Sequence, residues 1–394
     1  MKNFTAILSI TLLITAGCGN KKKQDINNKV DEIITVDVTK TDYPKKELIL
    51  QDIMDVEYLA LETNNDFLNQ GEMQDIGEKY ILVKNKTRDG NIFIYDRNGK
   101  AIRKINRKGQ GPEEYTDASR ITLDESNDEM FVNDLSKIIV YDLHGNFKRS
   151  FNHKDDKENG SLFYTEIFNY DKDNLICYDM FNKEISFVLI SKQDGSITKE
   201  IKIPFQEKKD ARATKNEGKM TYITGPAKFS NIIPHKGNFL LLEISSDTVF
   251  TLLPDFSLRP FIVRTPPVNS MDPEVFLIFG VMTDRYYFME TIKNVYDWNT
   301  GKGFPKTRMM YDNQEKGFFN CYVYVGDYTD KVVVIEDMSV TKSVNHEIDS
   351  WHKLEAHELV EAYKNGELKG KLKEIASILK EDDNPVIMLL KHKK

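Results

Sequence analysis

Side chains that commonly carry chemistry are scattered along this chain of 394 residues. Its seven histidines include His352 and His357, which are five residues apart and would not share one helix face as a zinc-binding pair does. The acidic run 124–129 lacks the ligand spacing and the glycine of an EF-hand loop, so we expect a solvated turn there. The sequence contains neither a P-loop nor a nucleophile elbow. It therefore predicts no catalytic residue, no metal ligand and no cofactor.

One segment, 107–115, combines turn-forming and charged residues. Gly109 and Gly111 have the spacing that begins a dinucleotide-binding loop, but the third glycine and the following helix are absent. Both glycines permit positive φ, and Pro112 after Gln110-Gly111 restricts the backbone further. Several nearby side chains could face a ligand: Arg107, Lys108, Glu114, Tyr115 and Arg120. Turn chemistry alone also explains the segment, with Glu114 and Tyr115 holding a connection in place, and this structural interpretation is the favoured one.

The first 18 residues predict export and lipid attachment. A short basic start precedes the apolar residues 4–16, the pattern of a signal peptide. Thr15-Ala16-Gly17-Cys18 resembles the lipobox of bacterial lipoproteins, although that family usually has Leu where Thr15 stands. The resemblance implies cleavage before Cys18 and attachment of lipid to its sulfur and its new amine. The alternative is an ordinary signal peptide with an incidental cysteine.

These features predict a signal peptide at 1–17, a lipidated cysteine with a flexible tether at 18–40, and a folded domain at 41–394. No later apolar stretch is long enough to cross a bilayer. We therefore expect a lipid anchor alone to hold the protein in the bacterial cell envelope, at the outer membrane. Cys177 and Cys321 lie in strand-like runs and are expected to be free thiols, with a disulfide as the alternative.

Composition narrows the function classes. The net charge of −7, from 55 basic and 62 acidic residues, gives no reason to expect nucleic-acid binding. With 40% hydrophobic residues the chain can build a large core, and its 22 Phe and 18 Tyr favour strands over helices.

A hairpin pattern recurs along the folded region. Residues 91–105 have the pattern of strand, Asp-x-x-Gly turn and strand, and residues 137–151 repeat it. Weaker copies occupy 187–198, 249–261 and 309–324. Six further short apolar strands precede or follow these hairpins, at 80–83, 130–132, 175–178, 239–242, 286–288 and 332–335. A four-stranded unit that recurs at this spacing is typical of a β-propeller, so the predicted fold is an all-β, six-bladed β-propeller.

The two ends of the domain are expected to close the ring. Strands are predicted at 33–38 and 382–391, and we expect them to meet in one blade. Between the hairpins and the final strand, apolar spacing predicts helices at 347–365 and 369–379, which form a helical insertion at 347–380. This insertion is expected to pack on the last blade, and a partner-docking role is the alternative. Residues 204–235 are expected to be a long inserted loop.

Three segments resemble the six-bladed β-propeller lipoproteins of Bacteroidetes, which share the architecture of NHL-repeat propellers. The segment 107–115 is similar to the family's Gly-Arg-Lys-Gly-Gln-Gly-Pro-Gly-Glu-Tyr stretch, with Asn106 and Glu113 replacing two glycines. Residues 59–63 resemble its Leu-Glu-Thr segment, and 382–385 its closing Asp-Asp-Asn-Pro strand. The resemblance implies a fold and a surface location, and no established reaction.

Two functions remain open at this stage. The first is a binding module for a small molecule, glycan, peptide or envelope protein. It would present to its ligand the face where 107–115 crosses from one blade to the next. The second is an envelope hydrolase or lyase with carboxylates or a metal at the channel mouth. Converging acidic, Asn or His side chains would favour the enzyme, whereas an aromatic and Arg-lined surface would favour binding. The protein is expected to be monomeric.

Overall fold

Alternating apolar residues and Asp-x-x-Gly turns produce short antiparallel strands along nearly the whole chain. The computed structural model describes residues 33–134, 136–153, 155–156, 160–161, 164–333, 338 and 344–393. The predicted signal peptide and Cys18 lie outside these residues. In the part described, the strands form a six-bladed β-propeller with three small two-stranded ribbons, which confirms the predicted fold class. No helix in the described part is long and apolar enough to span a membrane.

Blades 1 to 3 are regular four-stranded sheets. The strands of blade 1 are Glu72–Ile76, Tyr80–Lys84, Asn91–Asp96 and Ala101–Asn106. Those of blade 2 are Arg120–Asp124, Glu129–Asn133, Lys137–Asp142 and Phe147–Asn152. Those of blade 3 are Tyr164–Asn169, Asn174–Asp179, Phe187–Ser191 and Ile197–Ile201. The first strands of these three blades contact one another around the axis, so they line the central channel.

Blades 4 and 5 each gain a fifth, parallel strand from the N-terminal part of the domain. Blade 4 contains Ile232–His235, Asn238–Leu241, Thr248–Leu252 and Leu258–Thr265, with Ile34–Asp37 added outside. Blade 5 contains Val275–Met282, Tyr286–Lys293, Lys306–Asp312 and Gly317–Tyr324, with Lys45–Ile49 added outside. The ribbons pair Asp155–Asp156 with Gly160–Ser161, Ala213–Glu217 with Met220–Thr224, and Tyr296–Asp297 with Lys302–Gly303.

Blade 6 joins the two ends of the domain. Its described strands are Ile348–Leu354, Val386–Lys391 and Asp55–Ala60, in the spatial order 348–354, 386–391, 55–60. The predicted strand at 332–335 lies partly outside the described residues. Short helices are Leu50–Ile53, Ala356–Lys364 and Gly370–Ala376, and 3₁₀ turns are Glu125–Asn127 and Val268–Ser270.

Three expectations need correction. The strand Ile34–Asp37 does not meet the C-terminal strand: it pairs with Leu258–Thr265, and Asp55–Ala60 closes the ring instead. Residues from Ile34 onward are therefore part of the domain rather than of a tether. Residues 348–354 form a strand, not the start of a helix, so the helical insertion is shorter than 347–380. Residues 204–235 include a ribbon and the first strand of blade 4.

The core lies between the blades. Within the described residues, six large apolar clusters each join two successive blades around the ring. The cluster between blades 1 and 2, for example, contains Ile94 from one and Ile139 from the other. Because each small sheet buries both faces against its neighbours, the ring holds together without a single central core.

Candidate functional site

The segment 107–115 connects the last strand of blade 1 to the first strand of blade 2, as predicted. Tyr115 is fully buried; its hydroxyl donates to the Gly90 carbonyl at 2.6 Å and accepts from the Arg107 N–H at 3.0 Å. The Glu114 carboxylate accepts from the Gly111 N–H at 2.8 Å. It also lies so close to Gly109 that a Cβ there would collide with it. In this position Glu114 and Tyr115 hold the connection in place.

The basic residues of the segment bind neighbouring loops. Arg107 Nε donates to the Gly145 carbonyl at 3.0 Å, and Lys108 Nζ donates to the Arg88 carbonyl. Pro112 is exposed, and its carbonyl accepts from Lys137 Nζ at 2.8 Å. Gln110 is exposed. Of the residues predicted to face a ligand, the structure therefore places only Arg120 at a cavity.

That cavity, of about 540 Å³, lies at the mouth of the central channel. The first strands of blades 1 to 4 contribute the residues at or just before their starts, and blade 6 contributes Trp351. Residues 208–211 and 226–231, which flank the ribbon Ala213–Thr224, form another part of the wall. The starts of four first strands converge here because a propeller directs those strands the same way along its axis.

Arg120 is one of the charged residues that line the cavity. Its Nε donates to the Ile167 carbonyl at 3.2 Å, and its guanidinium lies 4.3 Å from the centre of the Phe168 ring. Burial lowers the pKa of Arg120, and the nearby carboxylates of Glu166 and Asp75 oppose that shift. Among described residues, only Ile167 accepts a hydrogen bond from the guanidinium. The two terminal nitrogens are therefore available to a ligand.

Glu166 is buried beside Arg120, and it links two blades. Its two oxygens accept from the backbone N–H groups of Asn231, at 2.8 Å, and Ile232, at 3.0 Å. Burial raises the pKa of Glu166, and these hydrogen bonds partly offset the effect. The carboxylate thus ties blade 3 to the start of blade 4.

Asp75 has the equivalent role between blades 1 and 2. It accepts from the backbone N–H groups of Leu123, at 2.7 Å, and Ile76, at 2.8 Å. Burial raises the pKa of Asp75 to about 7. Both carboxylates near Arg120 are therefore committed to backbone donors.

Two lysines of the wall, Lys208 and Lys209, are paired with carboxylates. Lys208 Nζ lies 2.7 Å from Glu243, which is buried, and also donates to Ser186. Lys209 contacts Glu207 at 3.0 Å and Glu274 at 3.4 Å. The remaining wall is largely apolar or aromatic. It includes Met73, Tyr178, Met180, Ala211, Phe229, Ile244 and Trp351.

The opposite end of the channel carries three histidines. His235 ends the first strand of blade 4, and its ring centre lies 5.9 Å from that of His392, while His346 stacks edge-on against Phe239. Burial lowers the pKa of all three, that of His235 to about 3, so they are neutral near pH 7. Within the described residues, no group of three or more His, Cys, Asp or Glu could hold a metal ion.

A larger groove of about 680 Å³ runs beside blade 5. Its charged groups neutralise one another: Arg285 lies 2.7 Å from Asp312, and Lys331 pairs with Glu47. The channel-mouth cavity is therefore the better candidate, because it holds an arginine that no carboxylate pairs with among the described residues. Cys177 is buried and free, and Cys321 is half-buried and free, as expected from the sequence.

Sequence reasoning identified Arg120 but missed Glu166, Lys228 and Trp351. Thr165-Glu166 places an acid at the start of an otherwise apolar strand, which is a usable signal for a buried, specifically bound carboxylate. Lys228 and Trp351 carry no such local signal, because their approach to the cavity depends on closure of the ring.

Comparison with known proteins supports the fold. The chain belongs to the family described as Domain of unknown function (DUF4934), whose model matches residues 33–391. A protein from Bacteroides fragilis, named as an exported protein, aligns with a TM-score of 0.56 and 16% identity, covering 92% of this chain and 100% of its own. A Bacteroides caccae protein of unknown function aligns with a TM-score of 0.32 and 13% identity, over 64% and 80%. No curated protein matches the chain. The family match and the Bacteroides fragilis structure confirm the predicted resemblance to six-bladed propellers of Bacteroidetes.

Proposed function

We propose that this protein is an exported, lipid-anchored binding module whose ligand site is the channel-mouth cavity. The observation that carries the proposal is the cavity itself, which is preformed, about 540 Å³ in volume, and lined by apolar and aromatic side chains together with Arg120. Sites for small molecules have this character, with a concave apolar wall and a few convergent polar groups. A cavity of this size suits a small molecule or a short glycan better than a protein surface.

Export is supported by the apolar segment 4–16 and by the exported protein of Bacteroides fragilis that shares the fold. Anchoring is supported by the lipobox-like sequence that ends at Cys18. Together they favour a place in the cell envelope, where a rigid propeller would present its cavity to ligands outside the cytoplasm.

Binding is favoured over hydrolysis or elimination by the state of the carboxylates. A general acid or base must reach the substrate. Two acids, Glu166 and Asp75, lie near Arg120. Each of them instead uses both of its carboxylate oxygens to accept hydrogen bonds from backbone N–H groups. The mouth thus has the aromatic and Arg-lined character that is expected of a binding site.

A cavity-filling substitution tests the proposal. A panel of metabolites and short glycans is screened by thermal shift, and the compounds found are titrated by calorimetry. Thr165→Trp, in the cavity wall, should abolish binding because the indole occupies the site. Thr300→Trp, in an exposed turn of blade 5, is the matched control and should bind normally. Equal binding by both variants, or the lack of any ligand in the panel, would argue against the proposed site.

A further inference from the structure

Three basic side chains at the cavity have no carboxylate partner among the described residues. Arg120 and Lys228 line the cavity, and Lys84 lies behind it, with Nζ donating to the carbonyls of Ala118 and Ser119. Lys228 is exposed in the connection that enters blade 4. Burial lowers the pKa of Lys84; Asp117 and Glu72 oppose this shift, whereas the charges of Lys228 and Arg120 add to it.

The other basic groups nearby are already neutralised. Lys208 pairs with Glu243, Lys209 with Glu207, and Arg212 with Asp210. The acids closest to Lys84 are engaged as well: Asp117 lies 3.1 Å from Arg88, and Glu72 lies 3.3 Å from Lys86. The positive charge of Lys84, Arg120 and Lys228 therefore is not cancelled by direct ion pairs.

Glu166 and Asp75 reduce this charge only in part. Each holds two backbone N–H groups, so neither turns to form an ion pair with Arg120. Because burial raises the pKa of Asp75 to about 7, this acid is only partly ionised near neutral pH. Arg120 and Lys228 therefore remain as two cations of the cavity wall that no direct ion pair neutralises among the described residues.

We infer that the ligand of this cavity carries an oxyanion, such as a carboxylate, sulfate or phosphate group, held by Arg120 and Lys228. The inference rests on the proposed function and adds the chemical class of the ligand. A guanidinium presents paired N–H donors in one plane and suits such groups. The Ile167 carbonyl and the Phe168 ring hold the Arg120 side chain in place before the ligand arrives. Lys84 adds positive charge behind the site.

The test titrates wild-type protein with sodium sulfate, sodium phosphate, glucuronate and neutral glucose, against sodium chloride at matched ionic strength. At least one oxyanion should raise Tm at about 20 mM, because a ligand bound only to the folded state stabilises it. Arg120→Gln should weaken the binding of that oxyanion by about tenfold or more. Lys228→Gln should weaken it in the same direction, and since Lys228 is an exposed loop residue this variant keeps the fold. Arg107→Gln, outside the cavity, is the control.

The outcomes separate the two proposals. No oxyanion binding to wild type, or equal binding by wild type, Arg120→Gln and Lys228→Gln, overturns the inference. Oxyanion binding that survives Thr165→Trp overturns it too, because the anion would then sit elsewhere. If a neutral ligand binds and Thr165→Trp blocks it while Arg120→Gln does not, the cavity remains the binding site and only the oxyanion assignment falls. The four compounds also distinguish an acidic sugar from a free inorganic anion.

Discussion

One buried side chain, that of Asn384, adds hydrogen bonds where the ring closes. Its Oδ1 accepts from the Asn69 N–H at 2.8 Å, and its Nδ2 donates to the carbonyls of Glu62, at 3.0 Å, and Phe67, at 2.6 Å. Asn384 precedes the strand Val386–Lys391, whereas its partners lie between Asp55–Ala60 and blade 1. These hydrogen bonds therefore join the two ends of the domain where the ring closes.

Asn384→Ala removes these three hydrogen bonds, and a longer fourth from Nδ2 to the Tyr95 hydroxyl at 3.4 Å, from a residue that is 1% exposed. At about 1 kcal/mol for each of the three shorter bonds, the free energy of unfolding should fall by about 3 kcal/mol. With an unfolding entropy of about 2.1 cal/mol/K per residue over about 360 residues, this loss lowers Tm by about 4 °C. Differential scanning calorimetry of the wild type and the variant measures the change. Asp382→Ala, two residues earlier and exposed, is the control and should change Tm by less than about 1 °C.

Two outcomes would refute this reasoning. A Tm of Asn384→Ala within about 1 °C of wild type would mean that water or neighbouring groups replace the lost bonds. An equal loss in Asp382→Ala would mean that the turn tolerates no substitution, whatever its hydrogen bonds. Either result would mean that the side-chain hydrogen bonds of Asn384 do not stabilise the closed ring.

Two further predictions follow from single residues. Burial raises the pKa of Asp75 from 3.8 to about 7, so the contribution of Asp75 to stability is greatest below about pH 4 and falls as the pH rises towards 7. Asp75→Asn should therefore flatten the plot of Tm against pH between about pH 4 and 7. An unchanged slope in the variant would contradict this prediction. Cys18→Ala should release the protein from the membrane fraction and abolish lipid labelling, whereas Cys321→Ala should change neither; retention with normal labelling would contradict the lipid anchor.

The repeated turns made most of the fold predictable. Gly99 and Gly145 both have positive φ, as the Asp-x-x-Gly pattern requires. Asp96 and Asp142 each accept backbone N–H groups within their own turn. Because a turn of this kind fixes the two strands that flank it, the hairpins of blades 1 and 2 follow from local sequence alone.

The predicted helix over 347–365 was wrong where burial removes the alternation of apolar and polar residues that is typical of a strand. Ile348, Trp351 and Leu354 are spaced like the apolar face of a helix, yet they belong to one strand of blade 6. Asp349 and Ser350 between them are also buried, because neighbouring elements cover both faces of the sheet. A strand that is buried on both faces loses the alternation of apolar and polar residues. A short apolar run then fits the period of a helix as well as that of a strand. Partner choice for Ile34–Asp37 likewise depends on the closed ring.

The candidate site could not be predicted as a unit for a related reason. Arg120, Lys228 and Trp351 come from blade 2, from the connection into blade 4 and from blade 6, so no sequence spacing relates them. Closure of the ring brings these residues together. Asp75 and Glu166 stabilise the ring, because each accepts a hydrogen bond from a backbone N–H of the next blade. The same side chains therefore fix the blades and surround Arg120. This arrangement leaves the arginine rigidly placed but without an ion-pair partner among the described residues, which is the state that a preorganised binding group requires.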